Sequence, residues 1–254
     1  DHMFGETHSN RGVIGSSCLH LFKLNVANTG LNEKDCKEHG YHYDFAYTLS
    51  TDKVGLMPDA HPLFFKLIFE KPTGRILGAQ AVGKGSADKR IDVIAAMISM
   101  NATLEDLKEL ELCYSPHYST ARDVVNQAAL VALNLLHGKF RQVPVYKVRE
   151  LVESKACIID VREEKEFARG HLIHAVNIPM SQFRERLSEI PRDVPVYLHC
   201  RSSQRSYNVI CALQKLGYTN LYNISGSFLG ISFYEYYRDK TEGRKPIVTE
   251  YNFN

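Results

Sequence analysis

The feature that most constrains the fold of this chain is residues 194–218, VPVYLHCRSSQRSYNVICALQKLGY. The stretch begins with a mostly apolar run, which is typical of a buried parallel strand. Over residues 207–216 apolar side chains recur at helical spacing, and Gly217 is typical of a helix C-terminus. The stretch therefore predicts a strand, a short polar loop and a helix, with Cys200 at the end of the strand.

The position of Cys200 predicts a reactive thiol. A side chain at the start of a helix faces backbone N–H groups without partners inside the helix, and it lies at the positive end of the helix dipole. Arg201 and Arg205 add two positive charges close by in sequence. All three effects favour the thiolate over the thiol, so we predict that Cys200 is a nucleophile near neutral pH.

The composition excludes several other classes of protein. A chain of 254 residues is long enough for two domains, and 44% apolar residues are ordinary for a globular protein. A net charge of +2 without a long basic run indicates no nucleic acid partner. No apolar run approaches the ~20 residues of a membrane span, and the first residues lack the charged and apolar regions expected of a signal peptide. The six cysteines form no metal-ligand pattern, so we expect reduced thiols, no metal and a cytoplasmic protein.

Residues 12–138 carry the pattern of an α+β domain with an antiparallel sheet. Residues 16–27 alternate apolar and polar side chains, which predicts one half-buried strand. Two further apolar runs flank the turn at Pro72-Thr73-Gly74 and predict a hairpin. Residues 119–138 predict a long helix. The opening residues, DHMFG, suggest a cloning remnant or the cut edge of a longer protein.

Four motifs in this region, TGLNEKD, ILGAQAVGKG, DKRIDVIA and LELCYSPHYSTARDVVN, follow one another along the chain. Together they resemble the C-terminal dimerisation domain of flavin-dependent pyridine nucleotide–disulfide oxidoreductases, in particular the coenzyme A-disulfide reductase and NADH oxidase branch. The resemblance implies a homodimer and a longer parent protein that uses FAD, NAD(P)H and, in the reductase branch, coenzyme A. The sequence contains no GxGxxG, so this chain alone should carry neither FAD nor NAD(P)H.

Tyr114 and Tyr118 match the YxPxY part of a motif whose tyrosines, in the family, reach the partner's disulfide site. The resemblance therefore implies a contact across the dimer, but Pro116 could equally form a rigid turn with both phenols packed in the interface. In the other tyrosine region of the family, relatives carry aromatic residues before a proline. This chain has Leu56-Met57-Pro58 there and so departs from the family's pattern. Cys113, with no basic neighbour, is expected to be a buried thiol.

After residue 138 the pattern changes. Residues 139–145 show no periodicity, so they are predicted as a linker to a second domain at 146–254. In the second domain short apolar runs alternate with helical patterns, which predicts an α/β fold with a central parallel sheet. The predicted strands are 156–161, 175–179, 194–200 and 220–225, and the predicted helices are 146–153, 163–170, 181–190, 203–216 and one after Gly226.

The second domain resembles the rhodanese, or sulfurtransferase, family. The resemblance rests on IIDVREEKEFARGHLIHAVNIP, on the strand–cysteine–loop–helix around Cys200, and on the turn Ser225-Gly226-Ser227. It implies that Cys200 takes sulfur from a sulfane donor, holds it as a persulfide and passes it to a thiol acceptor. Loop N–H groups would stabilise the terminal sulfur, and Arg201 and Arg205 would bind an anionic donor. The predicted loop is Arg201, Ser202, Ser203, Gln204, Arg205 and Ser206.

Asp160, Arg162 and His171 belong to the same resemblance. In the family these elements mainly brace the sheet and the loop, so a buried ion pair and a core histidine are the preferred interpretation over a catalytic role. His199 precedes the nucleophile on a strand whose side chains alternate between faces, so it is expected to point away from the site.

Two other functions remain open. Cysteine phosphatases of a similar fold separate cysteine and arginine by five residues, whereas only four separate Cys200 from Arg205, so the loop is one residue short for phosphate. A dimeric binding module that carries sulfur without catalysis is the alternative to an enzyme. The intact Cys200 and its two arginines favour the enzyme.

Overall fold

The computed structural model describes Gly5 and residues 12–253. The prediction that DHMFG is a cloning remnant or a cut edge falls on residues 1–5, of which residues 1–4 lie outside the described part. The first half forms a five-stranded antiparallel sheet in the order β1-β2-β5-β4-β3. Its elements are β1 (Ser17–Leu21), β2 (Leu24–Gly30), α1 (Glu33–Glu38), β3 (Tyr43–Thr51), β4 (Pro62–Glu70), β5 (Ile76–Gly83), α2 (Ala87–Ser99), α3 (Leu104–Glu109) and α4 (Val124–Leu136).

The segment predicted as one strand at 16–27 is a hairpin, so that prediction is wrong. The chain reverses at Phe22, whose φ of +52° is a turn conformation, and Leu21 pairs with Leu24. The alternation of apolar and polar side chains continues through the turn, because two paired strands keep the same two-residue period. The pattern alone therefore did not reveal the reversal.

The predicted long helix begins at Val124 rather than at residue 119. Asp123 caps it by accepting a hydrogen bond from the Val125 N–H, and the same carboxylate forms a buried ion pair with Arg90 of α2 at 2.9 Å. A residue that caps a helix has extended backbone, so the preceding residues leave the helix. Helices α2 and α4 cover the sheet and enclose an apolar core that includes Phe65, Leu67, Ile91, Ile94, Val125 and Ala129.

The second half forms a five-stranded parallel sheet in the order β6-β10-β9-β7-β8. The predicted fold classes, antiparallel α+β followed by parallel α/β, are thus confirmed. Strand β6 lies inside the segment expected to be a linker; the division of the chain at 138 and 146 stays a prediction. The elements are β6 (Gln142–Val143), α5 (Val148–Glu153), β7 (Cys157–Asp160), α6 (Glu164–Ala168), β8 (Val176–Asn177), β9 (Val196–His199), α7 (Gln204–Lys215), β10 (Leu221–Ile224) and α8 (Ser227–Glu242).

The helix predicted at 181–190 is absent from this part of the described chain. Residues 181–190 form successive turns and one 3-10 turn at Leu187–Glu189, because their N–H groups bond three residues back, as from Glu185 to Gln182 and from Ile190 to Leu187. Arg186 donates to the Asn177 carbonyl and so holds the turns against β8. Phe183 and Ile190 of this segment are buried, so its apolar spacing reflects burial and not a helical backbone.

The two halves pack against each other beside α8. Tyr47 of β3 lies so close to Gly226 that a Cβ there would be 3.0 Å from its ring. The Asn134 amide of α4 donates to the Tyr207 hydroxyl of α7. Phe64 of β4 meets Phe233 of α8 edge to face at 5.1 Å. Within Gly5 and residues 12–253, no helix combines the length and the apolar character needed to span a membrane.

Candidate active site

Cys200 lies directly after β9, at the carboxyl end of a central strand of the parallel sheet, and four residues before α7. Ligand sites of parallel sheets lie at this edge, because loops from neighbouring strands meet there. The Cys200 side chain is buried, with 1% of the residue exposed. The predicted strand–loop–helix around the thiol is therefore present.

The start of α8 fixes the backbone of the Cys200 loop. The Phe228 and Leu229 N–H groups donate to the carbonyls of Cys200 and Arg201 at 3.1 and 3.2 Å. The Ser227 hydroxyl accepts a hydrogen bond from the Cys200 N–H at 3.2 Å. These contacts require a sharp turn into α8, and Gly226 makes it with a φ of +81°. The loop is thus held by a segment that follows it by 27 residues, after α7 and β10.

One hydroxyl group lies close to the Cys200 sulfur, and it is held in turn by an amide. Ser206 Oγ lies 3.7 Å from Cys200 Sγ and 2.7 Å from Asn223 Oδ1 at the end of β10. Ser203 precedes α7 with a left-handed φ of 75°, and its hydroxyl contacts Ser227 Oγ at 3.1 Å. Ser206, in the first turn of α7, therefore brings its hydroxyl group close to Sγ, while Ser203 ties the loop to the start of α8.

Arg205 belongs to an ion pair and is not an isolated cation beside Cys200. Its guanidinium binds Glu166 of α6 through two hydrogen bonds of 2.6 and 2.7 Å. Hydrogen bonds from Arg205 lower the pKa of the Glu166 carboxyl, and those to Glu166, together with the nearby Cys200, raise the pKa of Arg205. The pair fixes the guanidinium beside Cys200 and neutralises most of its charge toward other anions.

Two cavities flank the loop. A small one of about 200 Å³ adjoins Arg201 and contains several arginines; its lining is Arg162, Glu166, Arg169, Arg201, Phe228, Leu229 and Asn252. A larger cavity of about 660 Å³ lies between the two halves of the chain and reaches Ser202, Ser203 and Gln204 of the loop. Its other wall belongs to the first half and includes Leu49, Ser50, Arg122, Gln127 and Leu130.

Asp160 and Arg162 form a buried ion pair beneath this edge of the sheet. Arg162 donates to both Asp160 oxygens, at 2.6 to 3.0 Å, and to the Gly170 carbonyl at 2.7 Å. Its guanidinium also stacks on the Phe228 ring at 4.0 Å, so the pair reaches the start of α8. The geometry matches the bracing interpretation, because every atom of the Asp160 side chain faces protein.

His199 is completely buried below Cys200. Its Nδ1 lies 3.3 Å from the Cys200 carbonyl oxygen, and its Nε2 has no hydrogen-bond partner and lies 3.7 Å from Asp160 Oδ2. Burial lowers the pKa of His199. His171 stacks on Phe167 at 3.8 Å and contacts the Phe167 carbonyl, so it supports α6.

Tyr114 and Tyr118 are far more exposed than the loop residues, at 51% and 72%. They lie in the irregular segment 110–123 and line neither cavity at Cys200, although Arg122 of this segment lines the larger one. The expectation that Cys113 is buried is wrong for the described chain, because this segment runs along the surface and anchors itself mainly through Ser119. Exposed phenols beside an exposed thiol leave both interpretations of the tyrosines open.

Sequence reasoning missed three residues that position the site. Ser227 stood in the recognised Ser225-Gly226-Ser227 turn but carried no predicted role, although it holds the Cys200 N–H. Glu166, the partner of Arg205, was predicted only as one acidic residue of a helix. Asn223 was predicted only as a strand residue, yet its side chain accepts a hydrogen bond from the Ser206 hydroxyl. A polar residue inside the apolar run 220–225 was the one available signal.

Within the described residues no group of three metal-ligating side chains is placed to hold an ion. The flavin and nicotinamide groups implied by the first-half resemblance also find no fit among the residues present. Dinucleotide sites need a glycine-rich turn that brings backbone close to the pyrophosphate, and the sequence has no GxGxxG.

Comparison with known families agrees with both halves. Residues 17–125 match the pyridine nucleotide-disulphide oxidoreductase dimerisation domain, and residues 145–232 match the rhodanese-like domain. The curated coenzyme A disulfide reductase of Staphylococcus epidermidis is 34% identical over 116 residues, which are 46% of this chain and 26% of that protein.

Two solved structures resemble both halves together. Reduced Bacillus anthracis CoADR-RHD is 38% identical and superposes with a TM-score of 0.84 over 89% of this chain and 41% of that one. A NAD-dependent persulfide reductase from A. fulgidus is 34% identical, with a TM-score of 0.81 over the same 89% and 41%. This chain thus spans about two fifths of those proteins. The chain therefore joins a region that matches the pyridine nucleotide-disulphide oxidoreductase dimerisation domain to a region that matches the rhodanese-like domain.

Proposed function

We propose that the chain is a sulfurtransferase in which Cys200 carries sulfur as a persulfide. One observation carries the proposal: α8 fixes the backbone of the Cys200 loop, and the thiol lies 3.7 Å from the hydroxyl of Ser206 in the first turn of α7. This environment stabilises a terminal sulfur anion in the same way as any anion at a helix N-terminus.

The chemistry is two nucleophilic displacements. The Cys200 thiolate attacks the outer sulfur of a donor such as thiosulfate, a new S–S bond forms, the donor's S–S bond breaks, and sulfite leaves with the electron pair. An acceptor thiolate then attacks the outer sulfur of Cys–S–S⁻, takes it as a new persulfide and returns Cys200 as thiolate. Both steps balance in sulfur and charge without an external oxidant or reductant.

The loop residues Arg201 to Ser206 bind and orient the sulfur in this proposal. The Ser206 hydroxyl lies 3.7 Å from Sγ, the loop N–H groups would bind the terminal sulfur, and Arg205 is held in place by Glu166. Asp160, Arg162 and His171 act through packing: the buried pair supports Phe228, whose N–H holds the Cys200 carbonyl. The large cavity between the halves admits the acceptor thiol to Ser202 and Ser203.

We also propose that this chain is part of a longer FAD- and NAD(P)H-dependent disulfide or persulfide reductase, as the names and coverage of its relatives suggest. The dimerisation domain supports a homodimer, in which Tyr114 and Tyr118 contact the partner subunit. In that protein, which we place in the cytoplasm, the Cys200 persulfide would supply sulfur for reduction, and coenzyme A is a candidate carrier thiol. None of these cofactors is assigned to the residues of this chain.

The test is turnover with thiosulfate as donor and glutathione as acceptor, followed by sulfide release. The wild-type chain should turn over, Cys200→Ser should lose all activity above background, and Cys113→Ser should keep it, because Cys113 lies on the surface away from the loop. Equal activity of wild type and Cys200→Ser would contradict the proposal. An inactive wild type that still dimerises would favour the alternative of a sulfur-carrying binding module.

A further inference from the structure

His199 is a buried histidine whose two ring nitrogens meet unequal surroundings. Strand β7 pairs with β9 so that Asp160 lies beside His199, and side chains at paired positions of neighbouring strands share a face of the sheet. Nδ1 lies 3.3 Å from the Cys200 carbonyl oxygen. Nε2 lies 3.7 Å from Asp160 Oδ2 and has no hydrogen-bond partner within Gly5 and residues 12–253. A buried polar atom without a partner costs free energy, so its position needs a physical reason.

The surroundings keep His199 neutral. Burial above all, together with Arg162 and His171, lowers the pKa of His199, and Asp160 opposes the shift by less. A neutral imidazole carries one N–H, and the acceptor within hydrogen-bond reach of the ring is the Cys200 carbonyl at Nδ1. The proton therefore lies on Nδ1, and Nε2 keeps a bare lone pair.

The Cys200 carbonyl belongs to the peptide unit with which the loop begins. Its oxygen also accepts a hydrogen bond from the Phe228 N–H at 3.1 Å, and the Cys200 N–H donates to the Ser227 hydroxyl at 3.2 Å. A trans peptide is planar, so a donor that fixes the carbonyl also fixes the N–H on the far side of the unit. It thereby fixes the direction in which the loop leaves β9.

We propose that His199 is a positioning residue for sulfur transfer: its Nδ1–H donates to the Cys200 carbonyl and so sets the orientation in which the loop N–H groups meet the terminal sulfur. This inference rests on the proposed function of Cys200 and adds a residue that acts through the backbone. Within the described part of the chain no hydrogen bond joins the His199 ring to Cys200 Sγ, so His199 has no role as a base. The orphaned Nε2 follows from the same bond, because a neutral ring that donates at Nδ1 has no proton left for Asp160.

The first experiment locates the proton. Two-bond proton–nitrogen correlation spectra of the chain labelled with 15N-histidine distinguish a protonated ring nitrogen from a bare one. They are recorded at about pH 8, where free histidine is neutral. The signals that disappear in His199→Asn belong to His199. We expect the proton on Nδ1 and a bare Nε2, and a proton on Nε2 alone would overturn the proposal.

The second experiment compares three variants that differ in where they place an N–H. His199→Asn keeps an amide N–H as far from the backbone as Nδ1, His199→Gln moves the amide outward towards the position of Nε2, and His199→Leu has none. The kcat for sulfur transfer from thiosulfate to glutathione should fall about 5-fold in His199→Gln and His199→Leu, the effect of one neutral hydrogen bond. His199→Asn should recover most of it, to within about 2-fold of wild type.

Urea denaturation of the same variants separates positioning from stability. A structural role alone would lower the free energy of unfolding while the folded variants keep their kcat, and that result overturns the proposal. An equal loss of kcat in His199→Asn and His199→Leu overturns it as well, because the N–H would then be irrelevant. An active wild type whose three variants are equally active contradicts the role of His199 alone. An inactive wild type contradicts the sulfurtransferase and, with it, this role.

Discussion

The chain contains two loops that each present a cysteine before a helix, and they differ in almost every other respect. Cys200 is buried, and its loop is fixed because the Cys200 N–H donates to the Ser227 hydroxyl and the Phe228 and Leu229 N–H groups donate to loop carbonyls. Cys113 is exposed in a segment of 14 residues, 110–123, without regular structure. The comparison indicates that a cysteine by itself does not form a site for sulfur chemistry. Such a site also needs a fixed backbone around the thiol, because only fixed N–H groups can stabilise a developing anion without reorganising.

The largest expected effect comes from the buried pair that supports the Cys200 loop from below. Arg162→Met should lower the free energy of unfolding by about 3–5 kcal/mol, because it leaves Asp160 as an uncompensated buried charge. Arg75→Met, which breaks the partly exposed pair with Glu70 in the first half, should cost at most about 1 kcal/mol. Urea denaturation of both variants measures the difference, and equal costs would show that the pair does not support the loop.

Gly226 tests the support from α8 and offers a matched control. Gly226→Ala should cost about 2–3 kcal/mol, since the new Cβ lies 3.0 Å from Tyr47 and Val145 at a φ of +81°. Gly40→Ala has a similar φ of +71° with open space around it, so it should cost about 1 kcal/mol from the backbone alone. Sulfur transfer should fall only in Gly226→Ala. Normal transfer by that variant would break the link between α8 and the thiol.

His199 gives the part of the chain around Cys200 a stability that depends on pH. Burial lowers its pKa in the folded state below the ordinary value of 6.5, so the unfolded chain binds more protons just below pH 6.5. This contribution to stability is complete above pH 6.5 and decreases as the pH falls, by at most about 1.4 kcal/mol per pH unit. His199→Phe should remove that slope in urea titrations between pH 6.5 and 5. An unchanged slope would contradict the assignment.

The smallest effect should come from the exposed loop. Tyr114→Phe and Tyr118→Phe remove only hydroxyls from surface side chains, so the free energy of unfolding should change by less than about 0.5 kcal/mol. Sulfur transfer by this chain should be unchanged as well. Dimer dissociation, measured by sedimentation, is the property in which the two variants can differ from wild type. A loss of transfer by either one would place this loop in the Cys200 chemistry.

Local patterns predicted most of the fold, including the strand, loop and helix around Cys200. Alternation and helical spacing identified both sheets and most helices, because these signals arise within one element. The hairpin at Phe22 and the turns at 181–190 were missed, since their apolar periods fit more than one backbone. The supports of Cys200 were missed for another reason: Ser227 and its bond lie 27 residues away, and the Arg205–Glu166 pair spans 39. Contacts of that separation depend on the assembled sheet.

The most direct test of the central claim is the mass of the peptide that contains Cys200. The chain is incubated with thiosulfate, alkylated, digested without reductant and analysed by mass spectrometry. We expect the Cys200 peptide to be heavier by one sulfur atom, while the Cys113 peptide carries only the alkyl group. Added sulfur on Cys113 but not on Cys200, or on neither, would contradict the claim that the fixed loop makes Cys200 the sulfur carrier.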